Sequence, residues 1–167
     1  MLNDDYSLHP AVDMPHMRYF EIQVFHIRPG HDKEWDDVMK LAKAAYEKAV
    51  PDTHWAAFEE VLGGGVLGGG GVTYVLFTPM KSAAEIDHEL TDDKQVAAAL
   101  GEEGMKRLEE LAAAAIESSE TNFFMFNPKM SYVPDAWIKA DPDFWKPKPA
   151  PASGAAPTKA AEKPAGN

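Results

Sequence analysis

A run rich in β-branched and aromatic residues, Arg18 to Arg28, predicts a β-strand that ends at the Pro29-Gly30 turn. Successive side chains of a strand point to opposite faces, so the run divides into two sets. The wholly apolar set comprises Phe20, Ile22 and Val24. The mixed set comprises Tyr19, Glu21, Gln23 and Phe25. The apolar set predicts a core face, and the polar groups of the mixed set indicate where a ligand would lie.

Helical spacing of apolar residues follows the turn. Asp32 is the predicted N-cap, and Pro51 is expected to stop the helix. The apolar positions between them recur every three or four residues: Trp35, Val38, Met39, Ala42, Ala45, Tyr46 and Ala49. This pattern predicts an amphipathic helix with one buried face.

Two further strands are predicted at His54 to Leu62 and at Val72 to Thr78. The stretch 63–71 between them contains seven glycines. A phosphate-binding glycine loop leads from a strand into a helix, whereas this one leads into a strand. We therefore interpret it as a hairpin tip, and no nucleotide site is predicted there.

The second half of the chain predicts helices followed by a last strand. Ser82 and Glu85 have the spacing of a capping box, which would open a short helix through Leu90. Asp92 or Asp93 would cap a longer helix to about Ser119, with a break at 101–104. Thr121 to Asn127 is the predicted fourth strand.

This order predicts an α+β fold, with a ferredoxin-like βαββαβ antiparallel sheet and helices on one face. We expect the helices to cover the apolar set of the first strand. The opposite face carries Tyr19, Phe25 and Ile27 and also needs a cover. A second copy of the sheet would supply it, because two-fold homodimers are the commonest assemblies. The expected product is a dimeric α/β barrel.

The chain divides into four predicted segments. An extended N-terminal arm spans residues 1–16, and the ferredoxin-like domain spans 17–128. A C-terminal strap at 129–146 contains four large aromatics among prolines: Tyr132, Trp137, Phe144 and Trp145. Residues 147–167 form an Ala/Pro/Lys tail whose composition predicts disorder.

Composition excludes several classes of function. The chain has 167 residues, a formal net charge of -11 and no cysteine. An acidic chain is a poor partner for nucleic acid or for an anionic membrane surface. The lack of cysteine excludes disulfides, thiolate catalysis and Cys-ligated metals. No leader is recognisable at Met1, so the default expectation is a cytoplasmic protein, with a processed exported form as the alternative.

The segment from Arg18 to Trp35 resembles the opening of dimeric α/β-barrel proteins, which include antibiotic-biosynthesis-type monooxygenases and NIPSNAP relatives. The stretch from Asn127 to Pro134, with a Trp after it, resembles uncharacterised bacterial members with a C-terminal extension. The likeness covers about residues 17–145. The haem-degrading members use an Asn on the first strand and a Trp that have no counterpart here, so that activity does not carry over. The resemblance implies either small-molecule binding or monooxygenase chemistry without a cofactor.

The site candidates centre on the mixed face of the first strand. Glu21 is the candidate general base, with Tyr19 and Gln23 orienting a ligand. The alternative is that Glu21 and Gln23 bond to arginines or backbone at an interface. His54 is a candidate for the pocket mouth, and Glu59 or Glu60 could pair with Glu21. No pair of histidines has the spacing of a metal site, so no metal and no cofactor are predicted.

Two hypotheses about function follow. The first is a small-molecule-binding protein or cofactor-free monooxygenase-like enzyme acting on a compact, largely apolar ligand. The second is a non-catalytic assembly module, in which the strap and the glycine-rich hairpin recruit other copies. An open cavity beside Glu21 would favour the first hypothesis, and a solidly packed interior would favour the second.

Overall fold

The computed structural model describes residues 1–61 and 71–146. Five strands and four α-helices follow one another along these residues: β1 (Leu2–Leu8), β2 (Tyr19–Ile27), α1 (Asp32–Ala49), β3 (Trp55–Glu59), β4 (Thr73–Met80), α2 (Ala84–Ala115), β5 (Ile116–Met125), α3 (Asp135–Ala140) and α4 (Pro142–Trp145). A short 3-10 turn, Met14–His16, precedes β2. The predicted glycine-rich hairpin, apart from Gly71, and the predicted tail lie outside the described residues.

The fold is α+β, with an open five-stranded antiparallel sheet in the order β1-β3-β4-β2-β5. The succession β2-α1-β3-β4-α2-β5 is compatible with the predicted ferredoxin-like arrangement. β1 is an additional edge strand. It lies within the segment predicted as an extended arm, where it pairs with β3.

The two sets of β2 side chains occur as predicted, but their assignment to the helices was wrong. The helices cover the mixed set: Trp35 of α1 packs against Phe25 with 5.1 Å between ring centroids, and Ile27 is buried in the same core. The apolar set, with Phe20, Ile22 and Val24, is half-buried on the open face of the sheet. Alternation along one strand defines two faces, but it does not say which face the helices choose.

Neighbouring strands supply the reason for this choice. Trp55, Ala57 and Tyr74 lie on the same face as Phe25, and all three are buried. Aromatic contacts join α1 to this face, with 5.3 Å between the ring centroids of Trp35 and Tyr74. The larger apolar area of the whole face therefore outweighs the two polar residues that β2 contributes to it.

Helix boundaries differ from several predictions. Asp32 is the first residue of α1, and its predicted N-cap position belongs to His31. α2 runs continuously across Leu90, so the predicted separate short helix was wrong. The predicted break at 101–104 is confirmed at Gly101, whose φ of +70° favours glycine. β5 begins at Ile116, within the segment predicted as the end of the helix.

The capping box predicted from Ser82 and Glu85 at the start of α2 does not form. The Glu85 carboxylate accepts a hydrogen bond from the backbone N–H of Lys81, at 3.0 Å, and not from that of Ser82. The N-cap residue is Ala83, and no side-chain cap bond is made there.

One glycine is required by a close backbone approach. A Cβ atom on Gly71 would lie 1.4 Å from the carbonyl oxygen of Ile27, which no other residue could tolerate without movement of the backbone. The next residue, Val72, accepts a 2.9 Å hydrogen bond from the Ile27 N–H. Gly71 therefore lets the start of β4 lie beside the end of β2.

The C-terminal strap packs on its own chain. Trp145 is buried, and its indole N–H donates to the carbonyl oxygen of Pro15 at 2.8 Å. Arg18 forms an ion pair with Asp141, and its guanidinium lies 4.0 Å from the centre of the Phe144 ring. These contacts fix α3 and α4 against the segment that enters β2. Within the described ranges, no helix has the length and apolar character needed to cross a membrane.

Candidate functional site

A large cleft separates the helices from the sheet. Its volume is about 980 Å³, which is of the size that binds small molecules. Most of its wall is apolar, from both helices and the sheet: Phe25, Trp35, Val38, Met39, Ala42, Leu76, Leu108, Ala112 and Ile116. The space beside Glu21 is therefore open and not packed solid. It lies under the protein's own helices, whereas the sequence had suggested a site facing a second sheet.

Glu21 lies in the wall of this cleft, near the middle of the sheet, because β2 pairs with both β4 and β5. It is only 3% exposed. Burial raises the pKa of its carboxyl group, a hydrogen bond with Gln23 lowers it, and the negative charge of Asp93 raises it again; the net direction is upward. A carboxylate whose carboxyl pKa is raised is a stronger base than an exposed one.

Gln23 and His54, two of the predicted ligand-binding residues, line the same cleft as Glu21. Gln23 follows Glu21 on the same face of β2 and is its hydrogen-bond partner. His54 lies just before β3, and its Nε2–H donates to the carbonyl oxygen of Pro79 at 2.6 Å. That bond fixes the orientation of the imidazole ring at the side of the cleft.

Two predicted site residues do not line the cleft. Tyr19 is at the end of β2, opposite Met80 and Met125, and does not contribute to the wall. Glu59 is opposite Tyr74, which is itself opposite Phe25. Phe25 lies four positions after Glu21, or about 13 Å along the strand, so a Glu21–Glu59 carboxylate pair is wrong.

The charge of Glu59 instead contributes to raising the pKa of two buried tyrosines, Tyr6 and Tyr74. Burial raises the pKa of Tyr74 to about 12, and the charges of Glu59, Asp32 and Asp36 add to the effect. The Tyr6 hydroxyl donates a 3.2 Å hydrogen bond to the Asp36 carboxylate, and a second hydrogen bond joins the side chains of Tyr6 and Tyr74. Both phenols therefore stay protonated at neutral pH, and they connect β1 and β4 to α1.

The negative charge that raises the pKa of Glu21 belongs to Asp93 of α2. The sequence pattern predicted only a helix cap at this position. Asp93 lines the cleft, and its Oδ1 accepts a 2.9 Å hydrogen bond from the Tyr46 hydroxyl of α1. Asp92 and His88 line the cleft as well. The sequence pattern predicted a helix start at Asp92 or Asp93, whereas α2 continues through both positions. Because a cap residue and a mid-helix residue direct their side chains differently, the contribution of these residues to the cleft was not predicted.

Trp35 carries a polar group without a partner. It is 1% exposed and lines the cleft, and its indole N–H has no acceptor among the described residues. A buried donor of this kind costs free energy unless an acceptor is supplied.

No residue set for a metal is found in the part of the chain that the structure describes: no three His, Cys, Asp or Glu side chains lie together in the way a metal ion needs. Besides its apolar wall, the cleft presents the buried Glu21 carboxyl group, the Gln23 carboxamide, the imidazoles of His54 and His88, and further carboxylates from the segments around it. No protein-family model, curated protein or solved structure matches the chain at a significant level.

Proposed function

We propose that this protein binds a compact, largely apolar small molecule in the cleft and oxidises it without a cofactor, in the manner of the monooxygenases that its first strand and turn resemble. The observation that carries the proposal is the buried Glu21 carboxyl group in the wall of an apolar cleft of about 980 Å³. Burial of a carboxyl group beside an open space costs several kcal/mol, which a purely structural cleft would have no reason to retain.

The proposed reaction uses the electron-rich ring of the substrate as the reductant. Glu21 takes a proton from an activated CH₂ group between aromatic rings, and the resulting carbanion adds to O₂ to give a peroxide anion. Glu21 returns the proton to the peroxide. Loss of water, with the second hydrogen of the CH₂ group, leaves a carbonyl group. One oxygen atom thus enters the product, and the other leaves as water.

The other cleft residues have supporting roles in this proposal. Gln23 holds the Glu21 carboxyl group in one orientation through their hydrogen bond. The apolar walls from α1 and α2 exclude water, which strengthens the carboxylate as a base. His54, held in place by its hydrogen bond to Pro79, forms part of the side wall of the cleft and limits the shape of the ligand there.

Oxygen uptake with anthrone, a ring system with an activated CH₂ group, tests the proposal. We expect the full chain to raise O₂ consumption and anthraquinone formation above the blank without protein. Glu21→Gln should lower the rate by about 10²-fold or more, because a general base contributes about that much. Glu60→Gln, which changes an exposed carboxylate just after β3 and outside the cleft wall, is the control and should keep the full rate. Equal rates for the two variants would exclude Glu21 as the base.

We further propose that two copies pair through the open face of the sheet to give the dimeric α/β barrel. Support comes from the apolar side chains on that face. Phe20 stacks on Phe124 with 5.1 Å between centroids, and Phe124 and Phe58 are 46% and 38% exposed. Large apolar patches on a sheet face are typical of protein interfaces. A second copy would cover them without blocking the cleft, which opens on the other side.

The second candidate function is a non-catalytic assembly module. It is supported by exposed apolar side chains after β5, where Met130 and Tyr132 are 84% and 106% exposed. These residues lie on the connection between β5 and the strap. In this alternative the cleft would be empty in use, and anthrone and related probes would neither bind nor react.

A further inference from the structure

The lining of the cleft is strongly acidic. Six carboxylic acids contribute to it: Asp13, Glu21, Asp52, Glu85, Asp92 and Asp93. Among the described residues that line the cleft, Lys81 is the single lysine, and no arginine takes part. Asp13, Asp52 and Asp93 are exposed and Glu21 is buried, so the net charge of the lining repels an anionic ligand and attracts a cation, and solvent weakens the effect of the exposed groups.

Partners within the chain neutralise little of this charge. Asp13 lies 2.7 Å from the imidazole of His16, and Asp93 accepts its bond from a neutral tyrosine hydroxyl. Glu85 accepts from a backbone N–H of Lys81. Neutral donors orient a carboxylate but leave its net charge in place.

The lack of a neutralising positive charge is clearest at Glu21. It is buried, and no lysine, arginine or histidine of the described segments lies within ion-pair distance of it. The charge of Asp93 acts unfavourably on its ionised form. Each of two nearby carboxylates disfavours the ionised form of the other. One positive charge bound in the open space between them would stabilise both ionised forms.

We infer that the cleft selects ligands that combine an apolar, aromatic-sized body with a protonated amine, and that the ammonium group lies in the field shared by Glu21 and Asp93. The body would contact the apolar walls that include Phe25 and Trp35. The inference rests on the proposed function and specifies its substrate class. It is compatible with a base at Glu21, because a nearby cation keeps that carboxyl group ionised.

A matched set of naphthalene probes tests the inference by isothermal titration calorimetry on the full chain at pH 7 and low salt. The probes are 1-naphthylmethylamine, which is a cation, 1-naphthalenemethanol, which is neutral, and 1-naphthoate, which is an anion. We expect the amine to bind about tenfold more tightly than the alcohol, equivalent to about 1.4 kcal/mol, and the naphthoate to bind most weakly. The preference should shrink at high salt.

The Asp93→Asn variant tests whether Asp93 supplies the negative charge that favours the amine. The asparagine keeps the shape and the acceptor for Tyr46 but removes the negative charge. We expect the amine-to-alcohol preference to fall to less than half its original value while alcohol binding stays unchanged. Asp87→Asn, an exposed position on the same helix outside the cleft wall, should leave the preference intact.

The outcomes separate the inference from the proposed function. Binding of the alcohol with a preference for the amine below fivefold, or with a preference that Asp93→Asn does not reduce, overturns the inference and leaves the cleft as a binding site. Failure of all three probes to bind overturns the proposed binding function and the inference together. A preference of fivefold or more that Asp93→Asn at least halves supports the inference.

Discussion

The two faces of the sheet differ in how completely they are buried, and the difference is the reverse of what the side chains of β2 alone suggest. The open face carries the wholly apolar set with Phe20, yet its side chains stay partly exposed. The covered face carries Glu21 and Gln23, yet it holds the core and the cleft. A polar pair can lie on the packed face because the helices stand away from it there and leave space for a ligand. The apolarity of one strand therefore does not identify the face that its own helices cover.

The largest expected contrast between the faces is in stability. Trp35→Ala removes a fully buried side chain that packs on Phe25 and Tyr74, so we expect it to lower the free energy of unfolding by about 3–5 kcal/mol. Phe124→Ala on the open face should cost about 1 kcal/mol or less in the monomer, since that ring is 46% exposed. Urea unfolding at low protein concentration measures both. Similar losses for both variants would contradict the difference in packing.

Self-association is the next test of the comparison. Phe123 and Phe124 are adjacent on β5, are each 46% exposed, and point to opposite faces. If the open face forms the dimer, Phe124→Asp should weaken association by about 10²-fold, because a charge would be buried at the interface. Phe123→Asp is the matched control and should dimerise like the unmodified chain.

Sedimentation velocity over a concentration series distinguishes these outcomes. Equal weakening by both substitutions would place the interface elsewhere, for example along the edge of β5. A monomeric unmodified chain at micromolar concentration would exclude the dimeric barrel, and the cleft would remain as a feature of one chain.

The smallest expected effect is the pH dependence of stability at Glu21. Its carboxyl pKa is raised above 4.5 in the folded protein, mainly by burial, so the unfolded chain gives up the proton first. Stability should fall as the pH rises from about 4.5 through the folded pKa, and the penalty should then stay constant. Glu21→Gln removes this penalty.

Thermal melts between pH 4 and pH 8 check the sign. The glutamine variant should melt at a higher temperature than the unmodified chain at pH 7.5, and the difference should shrink towards pH 4. Glu60→Gln should give no such trend, because that side chain is exposed. A Glu21→Gln variant that is less stable at every pH would identify a structural carboxylate.

Much of the local structure could be predicted from the chain. The spacing of Trp35, Val38 and Met39 gave α1, and all three are buried. The glycines gave the break at Gly101. The boundaries of α2 and β5 were less accurate, because residues 116–119 contain no glycine or proline that would mark the end of a helix. Tertiary pairing with β2 decides in favour of the strand.

The candidate site was predicted in part. Glu21, Gln23 and His54 lie at one cleft, since a strand face places the first two together whatever covers them. Tyr19 and Glu59 do not line the cleft, because alternation gives the face of a residue but not its position along the strand. Asp93 could not be assigned from the sequence, as it comes from a helix distant from β2 in the chain.

The sequence by itself determined β2, α1 and the division of β2 into two sets, because propensity and alternation are local properties of the chain. The tertiary structure alone decided which set the helices cover and that a cleft remains beneath them. It also decided that an aspartate from α2 acts on the glutamate of β2. Those outcomes depend on the summed area of all five strands and on the distance between packed layers, and no stretch of sequence encodes either quantity alone.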